Sequence, residues 1–131
     1  MASDDIYGNK GKYEYLRDHL EDLARPPQSE RHRGRNGWYY SRNPGNIQYF
    51  YKLCDAFEAR DLSYVRRCRL LGMLRLICYA TNKELSECDR DDISQIVKYM
   101  HTVYISPVSK ADFIKGMRHI WKILFPEKDM N

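Results

Sequence analysis

What this sequence lacks narrows the field first. Nowhere do 18 apolar residues run together, so no segment has the length and apolarity of a membrane span. The opening, MASDDIYGNKGKYEY, has no apolar h-region, so no secretory signal is expected and the chain is placed in the cytoplasm. Cysteine is sparse and unpatterned. Cys54, Cys68, Cys78 and Cys88 form no C-x-x-C and have no His pair of zinc type nearby. Small buried hydrophobes in a reducing compartment is the plainer reading, with disulfides or a metal as alternatives. Strand-forming runs are also missing, since GWYYS and TVYIS are too short and isolated to build a sheet. No repeat of 20–50 residues is present.

Catalytic constellations are missing too. GNKGKYEY lacks the strand and the spacing of a phosphate loop. His19, His32, His101 and His119 are scattered, and none belongs to a His-Glu pair at metal spacing. The acids gather at helix starts, where capping explains them, and no nucleophile stands beside a base. No cofactor and no metal is expected, and a small enzyme is the least favoured reading.

What is present is a helical pattern. With 43% hydrophobic and 31% charged residues in 131, the composition suits one soluble globular domain with one core and a tail. Residues 12–24, KYEYLRDHLEDLA, carry Tyr13, Leu16, Leu20 and Leu23 at helix spacing. This short amphipathic helix is marginal alone and needs a surface to rest on. A loop over 25–43 follows, rich in proline and glycine, with Arg25, Arg31, Arg33, Arg35 and Arg42 against one acid, Glu30. Its Trp38–Tyr40 aromatics either dock on the domain or stack on single-stranded bases.

From Asn46 the pattern predicts four helices. The first spans about 46–60, with Ile47, Phe50, Cys54 and Phe57 on one face and Asn46 or Asn43 as its cap. The second, about 63–80, is apolar nearly all round, which makes it the central helix or the cover of a partner's surface. Gly72 within it would let another backbone come close. The third opens at Asp89 with Asp92 three residues on, a capping-box-like start, and carries Ile93, Ile96, Val97, Met100, Val103 and Tyr104 on its apolar face. The fourth is SPVSKADFIKGMRHIWKILFP. Pro107 suits its first turn or Ser109 caps it, and Pro126 stops it. Short connections predict a compact all-α bundle.

The fourth helix divides sharply. At about 100° per residue, Phe113, Ile114, Met117, Ile120, Trp121 and Leu124 share one apolar arc. Lys115, Arg118 and Lys122 fall within an arc of roughly 60° on the other side. No acid lies between Asp112 and Glu127, so the stripe has no Glu at i−4. It is either a solvated face or a seat for a polyanion that offsets its self-repulsion. Arg66, Arg67 and Arg69 crowd the start of the second helix, with Arg75 further on. They either snorkel and cap carbonyls or reach phosphates from a helix N-terminus. The net charge of +4 permits a polyanionic partner without requiring one.

The order of these segments resembles the core-binding (SAM-like) N-terminal domain of the tyrosine recombinase, or phage integrase, family, with the archaeal branch nearest. FEARDLSYVRRCRLLGMLRLICYATNKELSECDRDDISQIVKYM follows the family layout. A first helix ends in a "gLS" turn, here Leu62-Ser63. A long second helix follows, then a short loop and a "T-x-x-D-I" start, here Asp89 to Ile93 with Asp89 in the threonine's place. VSKADFIKGMRHIWKILF is similar to the closing helix, with Ser109 at its start, Met117-Arg118 as its "LR", and Ile120 and Leu124 in apolar places. Trp121 is displaced from the usual tryptophan place, which Ile123 holds. The likeness covers about residues 44–129.

The resemblance implies three regions. Residues 1–43 are an N-terminal extension with the short helix 12–24 and the basic loop 25–43. Residues 44–126 are a four-helix DNA-binding domain, and residues 127–131 start the linker to a C-terminal catalytic domain not in this chain. It implies double-stranded DNA as partner, with that catalytic domain and contacts between protomers on the DNA. Catalysis is left to the absent domain, and none of the eleven tyrosines is assigned as nucleophile. Arg66, Arg67, Arg69, Lys110, Lys115, Arg118 and Lys122 are the expected DNA-binding residues, and Lys110, Arg118 or His119 could read bases. The rival expectation is an all-α protein–protein interaction module. Because the four-helix pattern is complete from Asn46, the fold is expected to survive removal of residues 1–43.

Overall fold

The computed structural model describes residues 8–26 and 39–128. The architecture is all-α. Among the described residues there are five α-helices and three short 3-10 turns, and no strand.

The chain enters through α1 (Asn9–Asp18), which starts earlier than residue 12 and also ends earlier than expected. At His19 the backbone leaves the helical region, and a 3-10 turn over Leu20–Ala24 completes the segment. His19 Nδ1 lies 2.7 Å from the Tyr15 carbonyl, a bond that satisfies part of the open helix end. The turn swings Leu20 and Leu23 inward, and both are buried together with Tyr13.

A 3-10 turn over Pro44–Asn46 leads into α2 (Ile47–Ala59). The two asparagines expected as alternative caps divide the work. Asn43 Oδ1 accepts from the Gly45 amide at 2.8 Å, closing the turn. Asn46 caps nothing. Fully buried, it donates to the Lys83 carbonyl and accepts from the Leu85 amide at 2.9 Å, pinning the connection after α3 to the start of α2. Asp61 then turns the chain with φ 51, a left-handed conformation that aspartate tolerates better than most side chains.

Ser63 caps α3 (Tyr64–Ala80) by accepting from the Arg66 amide. Its buried positions run around the helix, from Leu70 and Leu71 through Met73, Leu74, Leu76, Ile77 and Cys78. This helix packs on α1, α2, α4 and α5, so its all-round apolarity is used by neighbours within the chain. The central position expected of it is the observed one.

A 3-10 turn over Leu85–Glu87 precedes α4 (Arg90–Val103), which begins with the expected capping box. Asp89 Oδ1 accepts from the Asp92 amide at 2.9 Å, and Asp92 returns the bond to the Asp89 amide at 3.0 Å. The last helix, α5 (Pro107–Leu124), is capped by Ser106, one residue before Pro107, and Ser109 donates its amide to that cap.

Phe50, Leu53, Phe57, Leu71, Leu74, Met117 and Ile120 form the centre of one core. Tyr13, Leu20 and Leu23 belong to the same cluster, as do Tyr39 and Phe125 at the ends of the described segments. The N-terminal helix is therefore seated in the core rather than appended to it. Close approach of α3 and α5 is made at Gly116, where a Cβ would lie 2.2 Å from Met73 Sδ. No disulfide joins the four cysteines; Cys54 and Cys78 are buried and the other two half-buried. No helix among the described residues is long and apolar enough to cross a membrane.

Candidate nucleic-acid interface

The candidate surface is built outward from α5. Its apolar arc, Phe113, Met117, Ile120, Trp121 and Leu124, is buried, which forces the opposite side outward. Lys115, Arg118 and Lys122 are exposed there, and none of the three has an ion-pair partner among the described residues. Lys52, on α2, caps the end of this helix by donating to the Leu124 carbonyl at 2.8 Å.

The start of α3 lies alongside. Arg66 is exposed, and its Nη2 sits 3.0 Å from Nδ1 of His119, one turn before Lys122 on α5. An arginine only donates, so this Nδ1 is the unprotonated acceptor. His119 is half-buried. Burial lowers its pKa from the ordinary histidine value, and the positive charges of Arg66, Arg60 and Lys122 lower it further. Arg60, exposed at the end of α2, thus joins the cluster. It was not among the expected site residues. It belongs to no stripe on its own helix, so only the packing of α2 beside α5 reveals it.

The other expected residues are placed apart from this surface in differing degrees. Arg69 is exposed but paired with Asp112 at 3.6 Å, at the mouth of a cleft of about 200 Å³ lined also by Met73, Tyr104, Ser109 and Phe113. The pairs Arg66–His119 and Arg69–Asp112 show that α3 and α5 run antiparallel. Lys110, half-buried in the first turn of α5, lies about 140° around the helix from Lys115.

Arg67 departs furthest from its expected role. It is only 6% exposed. Its guanidinium stands 4.9 Å from the Tyr13 ring and 4.6 Å from the Tyr64 ring, Nε donates to the Leu62 carbonyl at 2.8 Å, and Asp61 lies 3.6 Å from Nη2. These contacts engage the guanidinium within the domain and set it apart from the exposed strip. Carbonyl capping also accounts for Arg75, whose Nε donates to the Tyr39 carbonyl.

Tyr39 is buried and packs edge-on to Tyr79, and Tyr40 does likewise from the outside. These two tyrosines of the aromatic triplet dock on the domain. Arg42 joins them, bonding the Tyr79 carbonyl and covering its ring. Trp38, Arg31, Arg33 and Arg35 lie outside the described residues.

Burial pushes the Cys54 thiol up to about 11 and the Cys78 thiol higher still, away from thiolate at neutral pH. Burial and the Glu58 carboxylate raise the Tyr13 phenol in the same sense. No cluster of three or more His, Cys, Asp or Glu that could hold a metal occurs among the described residues. The exposed cations give this surface a positive potential, which attracts anions. Comparison with family models, with curated proteins and with solved structures returns no match for this chain.

Proposed function

We propose that this chain is a duplex-DNA-binding module that lays α5 and the start of α3 along the phosphate backbone. The observation that carries the reading is the exposed, acid-free strip of Lys115, Arg118 and Lys122, extended by Arg66 from a second helix. Like charges at i,i+3 and i,i+4 repel by a few tenths of a kcal/mol, a cost that a polyanion lying alongside reverses. The resemblance to the core-binding domain of tyrosine recombinases supplies the setting: clamping DNA for strand exchange by a separate catalytic domain. Two features support it. The left-handed Asp61 stands where the "gLS" turn has its glycine, and the helix that would close the domain is the one bearing the strip.

A protein-docking module is the second reading. It is favoured by Ile105 and Val108, which are 86% and 71% exposed at the turn between α4 and α5. Salt separates the two, because counterion release makes DNA affinity fall steeply with salt while an apolar interface does not.

The test is a titration of one duplex across a salt series with wild type and with the combined Lys115→Ala, Arg118→Ala, Lys122→Ala variant. Wild type should bind in the ~10⁻⁴–10⁻⁶ M range of nonspecific binding at physiological salt, and tighter below it. Each lost phosphate contact should lower the log–log salt slope by about 1, with folding stability changed by no more than about 0.5 kcal/mol. Coincident curves for the two proteins would reduce the strip to a solvated face. Absence of wild-type binding at low salt, with the fold intact, would end the reading.

A further inference from the structure

We infer that Arg60, Arg66, His119 and Lys122 form one seat for a phosphate group, and that filling it draws a proton onto His119 and turns Arg66 from the imidazole to the anion. The inference rests on the phosphate-binding reading above and deepens it, naming where on the surface one phosphate sits and what regulates it.

The geometry that carries it is the contact of Arg66, in the first turn of α3, with His119 on α5, one turn before Lys122. Arg60, at the end of α2, lies close enough for its charge to act on the same ring. In the free protein Arg66 Nη2 rests 3.0 Å from His119 Nδ1, so one arginine donor is spent on an imidazole lone pair. The charges acting on that ring are Arg66 on α3, Arg60 at the end of α2 and Lys122 on α5, and all are positive. Such a group is neutral at neutral pH for a local reason, its partial burial together with the cations around it. Asp61, next to Arg60 in sequence, pairs instead with the buried Arg67, so it does not offset this cluster.

A phosphate oxyanion entering among these side chains reverses the balance. Its charge offsets the three cations and favours imidazolium over imidazole. The proton comes from solvent and is held at Nδ1. That nitrogen then becomes a donor, Arg66 loses its acceptor, and its fork is free to bond the phosphate. Binding therefore takes up at most one proton, and affinity rises as pH falls between the bound-state and free-state pKa values of His119.

Two measurements test this. In the first, duplex affinity at constant low salt is compared between about pH 7.5 and about pH 5.5, a range above the carboxylate titrations. Wild type should tighten by about three- to tenfold more than His119→Gln, which keeps a hydrogen-bonding amide but does not titrate; the remaining histidines contribute equally to both proteins. In the second, the imidazole resonances of wild-type His119 are titrated by NMR with and without inorganic pyrophosphate at matched ionic strength. Its pKa should rise when pyrophosphate is present, and this measurement needs no variant to fold. Equal pH dependence in both proteins, with no change in the His119 titration, would overturn the seat while leaving duplex binding in place. A raised His119 pKa in pyrophosphate with no duplex binding at any pH would uphold the seat and end the duplex reading.

Discussion

At the scale of single residues, neighbours in sequence lead separate lives. Arg66, Arg67 and Arg69 lie within one turn of α3, yet one donates to His119, one is buried against two tyrosine rings, and one pairs with Asp112. The difference predicts opposite phenotypes. Arg66→Ala should leave stability within about 0.5 kcal/mol, as exposed substitutions do. Arg67→Ala should cost about 2–4 kcal/mol, because it removes two cation–π contacts and leaves the Leu62 carbonyl without its partner. Arg67→Lys should restore little, since an ammonium can neither present a flat face to the rings nor offer the same fork. Urea denaturation measures the stabilities. On the duplex, a salt slope lowered by about 1 in Arg67→Ala would mean that this side chain reaches phosphate after all.

Among the elements, α1 is the one whose role the structure changes. It packs on α3, and Tyr13 ties it to α2 by donating its hydroxyl to Glu58 Oε2 at 2.7 Å, a carboxylate that also accepts from Arg17 at 2.9 Å. Behind this pair, Tyr13 closes over the Arg67 guanidinium and lies against the Phe57 and Tyr64 rings. Burying Tyr13, Leu20 and Leu23 contributes about 1.5–3 kcal/mol each before the entropy of ordering the segment is subtracted. Against a typical total of ~5–15 kcal/mol this is a large share. Deletion of residues 1–26 should therefore lower the melting midpoint strongly and expose apolar surface on α2 and α3. A truncated protein that melts as late and as sharply as the full chain would show α1 to be a passenger, as the helical pattern from Asn46 onward had implied.

Across the whole molecule, three carboxylates hold distant parts together and set its response to acid. Hydrogen bonds from Tyr13 and Arg17 hold Glu58 below the ordinary glutamate value of 4.5. Ser86 and Tyr49 do the same for Glu84, which links α2 to the 3-10 turn before α4. Lys83 and the Asp89 backbone lower Asp92 at the start of α4. Each folded pKa lies below its unfolded value. The stability these groups add is present above the unfolded values and is lost as pH falls through the folded ones. The share these carboxylates add should thus be flat from neutral pH down to about pH 5 and decline below the ordinary carboxylate range, while His119, whose folded pKa is also lowered, loses its own share as pH falls past the ordinary histidine value of 6.5. Glu58→Gln should be less stable than wild type at neutral pH and show a shallower decline in acid, measured as melting midpoints across the pH range. Parallel curves for the two proteins would assign the acid response to other groups.

The order of residues along the chain is enough to specify the all-α class, the faces of α2, α4 and α5 that enter the core, the capping box at Asp89 and the outward strip of Lys115, Arg118 and Lys122. Each of these follows from spacing along one helix, and a single helix settles which of its own side chains share a face. Packing between helices settles the rest: Asn46 braces the connection after α3 rather than capping a helix, α1 enters the core, and Arg67 rather than Arg66 is buried. The meeting of Arg66 with His119 spans 53 residues, and the approach of Arg60 needs α2 as well. Helical periodicity says which way a side chain points from its own axis. What it then meets depends on how separate helices pack, and for α3, apolar nearly all round, the periodicity left no single face to orient it.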